Sequence, residues 1–506
     1  MVNNGLEKPA PPEGTSTSAR QLNGARVAFL QQNAINESLG LCDLAGHLRD
    51  QGVTTRLFLE MEERGLATRL RDFDPHLVVI PCDLMGHNGA LHLAATAKAH
   101  TTAPVTLGGV HPTFFPNIVL RDAVDYAFVG EAEGVVSDLL AAVRSGADPS
   151  SIPNLILRQG DSFRVNSLRP LQTDLAAMAL PDREIYYRYP FLSAFPWKRF
   201  GTGRGCLNSC GFCFNPSYRA MVNDPRCFYR RKNPERIAEE IEQVRGRHAL
   251  TIVHFSDDLF NSGIEWLEAF AKVYRRLGIP FSANTYARFV TKESIRLLVE
   301  AGCRTLAVGV EVADDDLRAR VLNKPLTTKQ LTAAGRIIRE AGIRLVTFNI
   351  LGLPYCSIDQ EIDTCRLAQD MEADHTRVTI LTPFPKSALA KRLIQDGFLS
   401  SQFESRIYEV ADLPNWSAED LFPRAGMKAT KRLYRLWHLM VALRLSPKWM
   451  RRLVDRPWLQ FLAPASMLIA MLNEQKIFHV GYLKGFRYLL HVRSPRLKAS
   501  NYVSFI

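Results

Sequence analysis

Three thiols crowd into one short loop. From Arg204 to Pro216 the chain reads Arg-Gly-Cys-Leu-Asn-Ser-Cys-Gly-Phe-Cys-Phe-Asn-Pro, which sets Cys206, Cys210 and Cys213 at C-x₃-C-x₂-C spacing. The loop directly follows an apolar-aromatic run at Phe195–Thr202. Thiolates at a strand end, in a loop containing glycine, suit a metal. A structural zinc ion asks for four N or S ligands, usually as two separated pairs, and no second Cys or His pair stands at such spacing. A [4Fe–4S] cluster is held by Cys thiolates. Three of them would bind three irons and leave the fourth open, as catalytic metal sites leave a position open. A zinc loop and a plain set of buried thiols are the competing readings.

With Phe212 immediately before the last thiol, the stretch resembles the signature of radical S-adenosylmethionine (radical SAM) enzymes. The chain beyond it agrees. Strands at 251–255, 281–285, 305–310, 344–350 and 377–381 alternate with helices at 234–244, 264–277, 292–301 and 358–371, and with helical residues up to Glu340. With the strand before the cysteines, that makes about six βα units of a partial TIM-type barrel, whose working residues belong at the C-terminal strand ends. There the resemblance implies contacts to SAM. Asp257 and Asp258 would meet the methionine ammonium, because charge-assisted hydrogen bonds are strong; an N-cap ahead of Ile264 is their alternative. Asn284 and Arg288 follow the next strand, where a guanidinium fork would match the SAM carboxylate, although Arg288 also reads as a surface residue. Glu311 closes Val308-Gly309-Val310-Glu311, similar to the family's Gly-Ile-Glu stretch beside SAM, and would otherwise cap a helix near Asp314. Gly352 lies in Asn349-Ile350-Leu351-Gly352-Leu353-Pro354, which resembles the stretch backing the adenine. Relatives often continue with Gly-Glu-Thr where this chain has Tyr355-Cys356-Ser357. Beyond the cofactors, no side chain is singled out as catalytic.

Residues 24–145 alternate strands at 26–30, 54–59, 77–81, 105–108 and 126–129 with helices at 39–51, 90–100 and 135–143. This is the pattern of an α/β, doubly wound parallel sheet of Rossmann-like type. Such sheets bind ligands beyond the carboxyl ends of their strands. Two glycine loops fall there, Leu107-Gly108-Gly109-Val110-His111-Pro112 and Val129-Gly130-Glu131. Ahead of a radical SAM core, Leu39-Gly40, Gly108-Gly109 with His111, and Gly130-Glu131 resemble the contact positions of a cobalamin-binding domain. A flavodoxin-like domain without ligand is the alternative. The mutase-type Asp-x-His-x-x-Gly is missing, since Asp74-Pro75-His76-Leu77-Val78-Val79 lacks the glycine. The resemblance therefore implies no cobalt-ligating histidine from this domain, and His76 reads as a strand-edge polar residue.

Length and composition set the frame. The 506 residues suggest several domains, expected as a disordered tail at 1–22, a cobalamin domain at 23–147, a linker at 148–195, the barrel at 196–400 and a basic helical segment at 401–506. Apolar content of 46% and charged content of 23% are those of an ordinary globular protein. The first 22 residues hold no apolar run and no signal peptide is expected. Six of the nine cysteines (Cys42, Cys82, Cys227, Cys303, Cys356 and Cys365) are scattered singly; they read as buried or incidental, exclude a disulfide framework and point to a reducing cytosol. The net charge of +12 is uneven, because Met427–Ile506 carries fifteen Lys and Arg against Asp455 and Glu474 alone. In that segment helices are expected at 431–443 and 447–454, then an apolar run at Trp458–Leu472 that is shorter than the roughly 20 residues a bilayer span needs. It reads as a cap packed on the barrel, as a helix lying on a membrane, or as a lid over a greasy substrate. Nucleic-acid binding is disfavoured.

Taken together, the resemblance implies a cobalamin-dependent radical SAM enzyme with a [4Fe–4S] cluster, SAM and cobalamin, supplied by an electron donor such as flavodoxin or ferredoxin. The implied reaction methylates an unactivated carbon of a small, lipid-like or tetrapyrrole-like molecule through a 5′-deoxyadenosyl radical and methylcobalamin. The rivals are an oxidative cyclase of the anaerobic magnesium-protoporphyrin monomethyl ester type, an RNA methylthiotransferase, and a non-catalytic cobalamin or redox sensor. The methylthiotransferase family has three cysteines in its first domain, where this chain has Cys42 and Cys82. The expected location is cytoplasmic, with a peripheral contact at the inner membrane face left open.

Overall fold

The computed structural model describes residues 22–34, 37–84, 86–405 and 426–478. The tail expected at 1–22 lies, Leu22 apart, outside the described residues. The chain forms two compact units, Met1–Arg169 with Ala179–Ile185, and Pro170–Met178 with Tyr186–Ile506.

The first unit is built on strands that are apolar along most of their length, as parallel strands covered on both faces must be. β1 (Arg26–Gln31), β2 (Thr54–Leu59), β3 (Leu77–Pro81), β4 (Val105–Gly108) and β5 (Tyr126–Phe128) pair in parallel in the order β2-β1-β3-β4-β5. Helices α1 (Leu39–Arg49), α2 (Leu66–Phe73), α3 (His87–His100), α4 (Val110–Phe114) and α5 (Glu133–Ser145) connect them. The order reverses at β1 and β3, and in such sheets ligands sit at that reversal. The segment expected as a linker holds more than a linker. β6 (Leu155–Gln159) and β7 (Ser162–Val165) form a hairpin that extends the sheet antiparallel to β5. His76 stands at the opposite, N-terminal end of β3, where its Nδ1 accepts a hydrogen bond from the Arg26 backbone at 3.0 Å.

In the second unit β8 (Trp197–Phe200) opens a six-stranded parallel sheet that runs in sequence order through β11 (Ile252–Phe255), β12 (Phe281–Thr285), β13 (Cys303–Glu311), β14 (Arg344–Leu351) and β15 (His375–Ile380). A short antiparallel ribbon, β9 (Gly203–Arg204) with β10 (Arg230–Arg231), stands beside it. This is a half-barrel. The intervening helices are α6 (Asn215–Arg219), α7 (Pro234–Arg245), α8 (Ile264–Tyr274), α9 (Lys292–Ala301), α10 (Asp315–Arg320), α11 (Thr328–Glu340), α12 (Ile358–Asp370) and α13 (Ala388–Gln395). Their starts are locally encoded. α9, α11 and α12 each open with a reciprocal capping box, Thr291 with Ser294, Thr327 with Gln330, and Ser357 with Gln360, which satisfies two orphan backbone donors at once. The departure at Tyr355-Cys356-Ser357 is thus a helix cap. Behind the sheet, Phe255, Phe260, Phe270, Tyr274 and Phe281 pack ring on ring at 4.9–5.7 Å.

The C-terminal helices α14 (Met427–Ala442), α15 (Pro447–Asp455) and α16 (Ala463–Phe478) are not a separate body. Leu433, Leu436, Trp437 and Met440 share one core with Leu351, Ile362, Cys365 and Val378. Trp437 Nε1 donates to Thr376 Oγ1 at 2.8 Å and Thr430 Oγ1 to Glu361 Oε2 at 2.8 Å. Residues 406–425 and 479–506 of the expected basic segment lie outside the described residues.

Two stability measurements check this packing. Trp437→Ala removes a large buried ring and is expected to cost about 3–5 kcal/mol in denaturant unfolding. His375 and His438 stack at 5.6 Å between β15 and α14. Burial first, then the neighbouring charges, pushes His375 down to about 3, and burial pushes His438 down to about 4. The unfolded chain takes up these protons near the ordinary histidine value of about 6.5, whereas the folded chain refuses them. Stability therefore falls as pH drops from about 6.5 towards 4, by up to about 1.4 kcal/mol per pH unit for each histidine. His438→Phe is expected to flatten that slope.

Candidate functional site

The cysteine loop leaves β8 through Gly201-Thr202 and is clasped at its base by the β9–β10 ribbon, where Arg204 faces Arg230 and Gly203 faces Arg231. Gly205 (φ +80°) is required there, because a Cβ would stand 2.2 Å from the Phe228 carbonyl oxygen. Further along, Gly211 N donates to Leu322 O at 2.7 Å, Leu389 N donates to Gly211 O at 2.8 Å, and Asn323 Nδ2 donates to Ser209 O at 2.6 Å. The loop is thus held from the segment after α10 and from the start of α13. Cys206 is buried and Cys210 and Cys213 are half-buried. Asn215 approaches Cys213 Sγ through both its backbone N and its Nδ2 at 3.5 Å. Among the described residues no three Cys, His, Asp or Glu side chains converge at single-ion range. A cubane asks for something else, one thiolate per iron, and three partly buried thiols in one pinned loop fit that demand.

The strand ends supply a charged rim. Asp258 accepts from Asn215 Nδ2 at 2.8 Å, so that one amide joins it to Cys213. Desolvation by the surrounding protein raises its carboxyl pKa, a cost that a neighbouring cation would relieve. Asp257 is spent differently from the expectation. Both its oxygens accept from Thr202 N at 3.0 Å, and Oδ1 also takes the Thr202 hydroxyl at 2.7 Å, which fixes the exit of β8. Asn284 Nδ2 donates to the Asp257 carbonyl at 3.2 Å. Arg288 is exposed, its guanidinium 5.0 Å from the Phe289 ring centre and 5.8 Å from that of Tyr286. Glu311 holds a left-handed backbone (φ +67°) where the β13–β14 register shifts; such strain in a non-glycine residue marks functional sites. Its Oε1 pairs with buried Lys324 at 2.8 Å, and Lys324 Nζ also donates to Gly309 O at 2.8 Å. Lys324 lies 5.0 Å from the Tyr286 ring centre. Gly352 (φ +81°) donates its N–H to Glu361 Oε1 at 2.9 Å. On β14 the buried Asn349 Oδ1 has no hydrogen-bond partner among the described residues, an orphan that a bound ligand would satisfy. Asn215, Lys324 and Tyr286 escaped the sequence reading: Asn215 stands two residues from Cys213, but its bond to Asp258, like the placing of Lys324 and Tyr286 at the rim, comes only from the tertiary fold.

In the first unit the glycine loops make close internal contacts. A Cβ on Gly108 would stand 1.8 Å from the Phe128 ring, and one on Gly109 (φ +118°) 2.8 Å from the Cys82 carbonyl oxygen. Both glycines are explained by internal packing. His111, expected at a ligand, is fully buried: its Nδ1 bonds to Leu84 O at 3.0 Å and its ring stacks on His87 at 4.5 Å. Thr113 ties the two loops together, donating to Gly109 O at 2.7 Å and accepting from Gly130 N at 3.0 Å. Glu131 is half-buried beside it. Leu39 and Gly40 open α1 beyond β1, capped by Ser38; Gly40 is exposed, with no atom within 4 Å of where a Cβ would stand.

Family descriptions match both halves, "B12 binding domain" over residues 27–140 and "Radical SAM superfamily" over residues 201–368, together more than half of the chain. Residues 201–368 are a radical SAM domain. A B12-binding domain precedes its core, and the cofactors that go with this pairing are a [4Fe–4S] cluster, SAM and cobalamin. Among curated relatives of this radical SAM protein, an uncharacterized methyltransferase of Pyrococcus horikoshii is 24% identical over 370 residues, covering 71% of this chain and 79% of its own. The anaerobic magnesium-protoporphyrin IX monomethyl ester cyclase of Cereibacter sphaeroides is 26% identical over 377 residues, covering 69% of this chain and 59% of the cyclase. The fold is shared with the radical SAM methyltransferase TsrM of Kitasatospora setae, solved with cobalamin and a [4Fe–4S] cluster (TM-score 0.61, 17% identity, 73% of this chain and 75% of that one). It is also shared with the cobalamin-dependent radical SAM enzyme OxsB bound to aqua-cobalamin and SAM (TM-score 0.62, 12% identity, 94% and 76%).

Burial pushes the Cys210 thiol up to about 11 and the Cys213 thiol up to about 12. Iron must therefore displace protons, and loading is expected to improve from about pH 7 to about pH 9. After anaerobic reconstitution, Cys206→Ala, Cys210→Ala and Cys213→Ala should each lose iron and the brown colour, whereas Cys227→Ala should retain both; iron and sulfide analysis checks this.

Proposed function

We propose that this radical SAM enzyme is a cobalamin-dependent methyltransferase acting on an unactivated carbon of a small, lipid-like or tetrapyrrole-like molecule. The observation that carries the reading is a pinned three-thiolate loop beside a charged strand-end rim, in a chain that also has a B12-binding domain. When bound, the cluster, SAM and cobalamin supply one-electron cleavage of SAM and transfer of a methyl group. The protein's own groups position and exclude water. In this reading Cys206, Cys210 and Cys213 hold the cluster. Asp258, steadied by Asn215, faces the SAM ammonium, while Glu311, Asn284 and the Gly352 turn line the rest of its groove. Arg288 is the exposed candidate for the SAM carboxylate. Asp257 holds Thr202 and so the direction of the loop. Leu39, Gly40, Gly130 and Glu131 border the cobalamin side, with Gly108, Gly109 and His111 shaping the loop beneath.

The inner face of the half-barrel supports a substrate with an anionic group and a flat body. Trp197 stacks on His254 at 5.3 Å. Arg199 Nε donates to Ser256 Oγ at 2.9 Å, and the Arg377 guanidinium stands 5.7 Å from the Phe348 ring centre. Burial, then the fields of both arginines, holds His254 near 3, so the charge of this face is that of Arg199 and of Arg377, the latter paired with Glu474 at 3.6 Å. A carboxylate suits such guanidinia. The cyclase relatives favour a second reading, oxidative ring closure with the same cofactors. A one-electron donor of flavodoxin or ferredoxin type is expected in either case.

Product mass decides between them. Anaerobic incubation with dithionite, SAM carrying a labelled methyl group and candidate carboxylated substrates is expected to give 5′-deoxyadenosine and a product heavier by one CH₂ that carries the label. Loss of hydrogens or gain of oxygen without the label would transfer the assignment to the cyclase reading. No deoxyadenosine at all would sink both.

A further inference from the structure

The outer face of the C-terminal helices is built unlike the rest of the surface. Trp449 on α15 is 56% exposed, and Trp458 and Phe461 in the turn that follows (Pro457–Leu462) are 65% and 66% exposed. Trp458 and Phe461 stack on each other at 6.2 Å and 18° while both remain largely exposed. Met467 and Leu468 on α16 are 51% and 55% exposed. The same helices bury their other side, where Met450 and Val454 enter the core with Trp437. The exposed apolar side chains are thus presented from an anchored scaffold. Exposed patches of this size and composition mark interaction sites.

Charge says what kind. From Met427 to Glu474 there are nine Lys and Arg against Asp455 and Glu474. Those two acids are engaged, Asp455 by Arg451 at 2.9 Å and Glu474 by Arg377 at 3.6 Å. Lys448, Arg452 and Arg456 are exposed among the aromatics, and the Arg452 guanidinium lies 4.7 Å from the Trp449 ring centre. Aromatic rings and aliphatic side chains set among basic groups match the boundary of an anionic lipid layer, with rings at headgroup depth and cations on the lipid charges. No helix among the described residues is long and apolar enough to cross a membrane, so the contact is in the plane of the surface. Two other occupants fit less well. A symmetric dimer through this face would set the same basic patch against itself. Residues 479–506, with five Lys and Arg and no acid, carry the same sign.

We propose that the face formed by α15, the 457–462 turn and the start of α16 docks this enzyme on an anionic membrane surface, with Trp449, Trp458 and Phe461 inserted at the headgroup boundary. This stands independently of which reaction the enzyme performs. It would deliver an apolar substrate from the lipid phase, and it gives the apolar patch and its basic frame a single purpose.

The test is co-sedimentation of the full chain, at about physiological salt, with vesicles of phosphatidylcholine containing about one part in three of phosphatidylglycerol, against vesicles of phosphatidylcholine alone. Binding is expected to the anionic vesicles and to fall steeply with salt. The triple variant Lys448→Gln, Arg452→Gln, Arg456→Gln should bind them on the order of a hundred-fold more weakly, from about 1 kcal/mol per lost surface cation. Trp458→Ser with Phe461→Ser should lose binding while the thermal midpoint and SAM cleavage without lipid stay as in the parent, since both rings are exposed. The proposal is overturned if the parent does not sediment with anionic vesicles or if neither variant weakens sedimentation. It is equally overturned if the serine variant instead abolishes a dimer seen by ultracentrifugation, or if single-stranded RNA binds with the same dependence on these residues and the vesicles do not.

Discussion

The functional half of this molecule depends on the anchoring of one loop. Between Gly205 and Phe214 the backbone makes no regular structure, yet it must present three thiols at fixed separations. The structure solves this with fixings at both ends. The β9–β10 ribbon closes the base, with Gly205 admitting the Phe228 carbonyl, and Leu322, Asn323 and Leu389 grip the far side by hydrogen bonds of 2.6–2.8 Å. Because Leu322 is fully buried and Leu389 begins α13, the grip is referred to the barrel wall. Pre-positioned thiolates would spare a cluster the entropy of gathering them.

The rim around the loop shows how buried charge is managed. Lys324 and Glu311 pair inside the protein, and burying such a pair is tolerable only where further hydrogen bonds satisfy it. The Gly309 carbonyl provides one, and the Tyr286 ring lies against the ammonium. Asp257 and Asp258, adjacent in sequence, receive opposite duties. The first is consumed by Thr202 and the second is left facing the thiols with Asn215 as its steadying donor. One carboxylate builds the loop's exit and its neighbour is the one proposed to face the cofactor.

Much of this was legible in the sequence, for physical reasons that also explain the rest. Strands such as β1 (Arg-Val-Ala-Phe-Leu-Gln), β3 (Leu-Val-Val-Ile-Pro) and β11 (Ile-Val-His-Phe) are short, largely apolar runs, and their alternation with helices made both sheets readable. The thiol loop was legible because its spacing is local. The β6–β7 hairpin was not, since β7 (Ser-Phe-Arg-Val) is exposed throughout and carries no burial pattern. At Gly108, Gly109 and His111 a ligand and a close internal neighbour leave the same trace in sequence. Here the neighbours are Phe128, Cys82 and Leu84. Lys324, and the bond from Asn215 to Asp258, were invisible for the converse reason, as nothing near them in sequence announces the partners that the fold supplies. The C-terminal helices read as basic and aromatic, and only packing reveals that Trp437 is barrel core while Trp449 and Trp458 are surface.

The central claim is that the three thiolates leave one cluster iron without a protein ligand, so that SAM can occupy it. Electron paramagnetic resonance of the reconstituted, dithionite-reduced enzyme, recorded with and without SAM, addresses that iron directly. The account predicts that SAM shifts the g values of the reduced cluster. A spectrum unchanged by saturating SAM would contradict it.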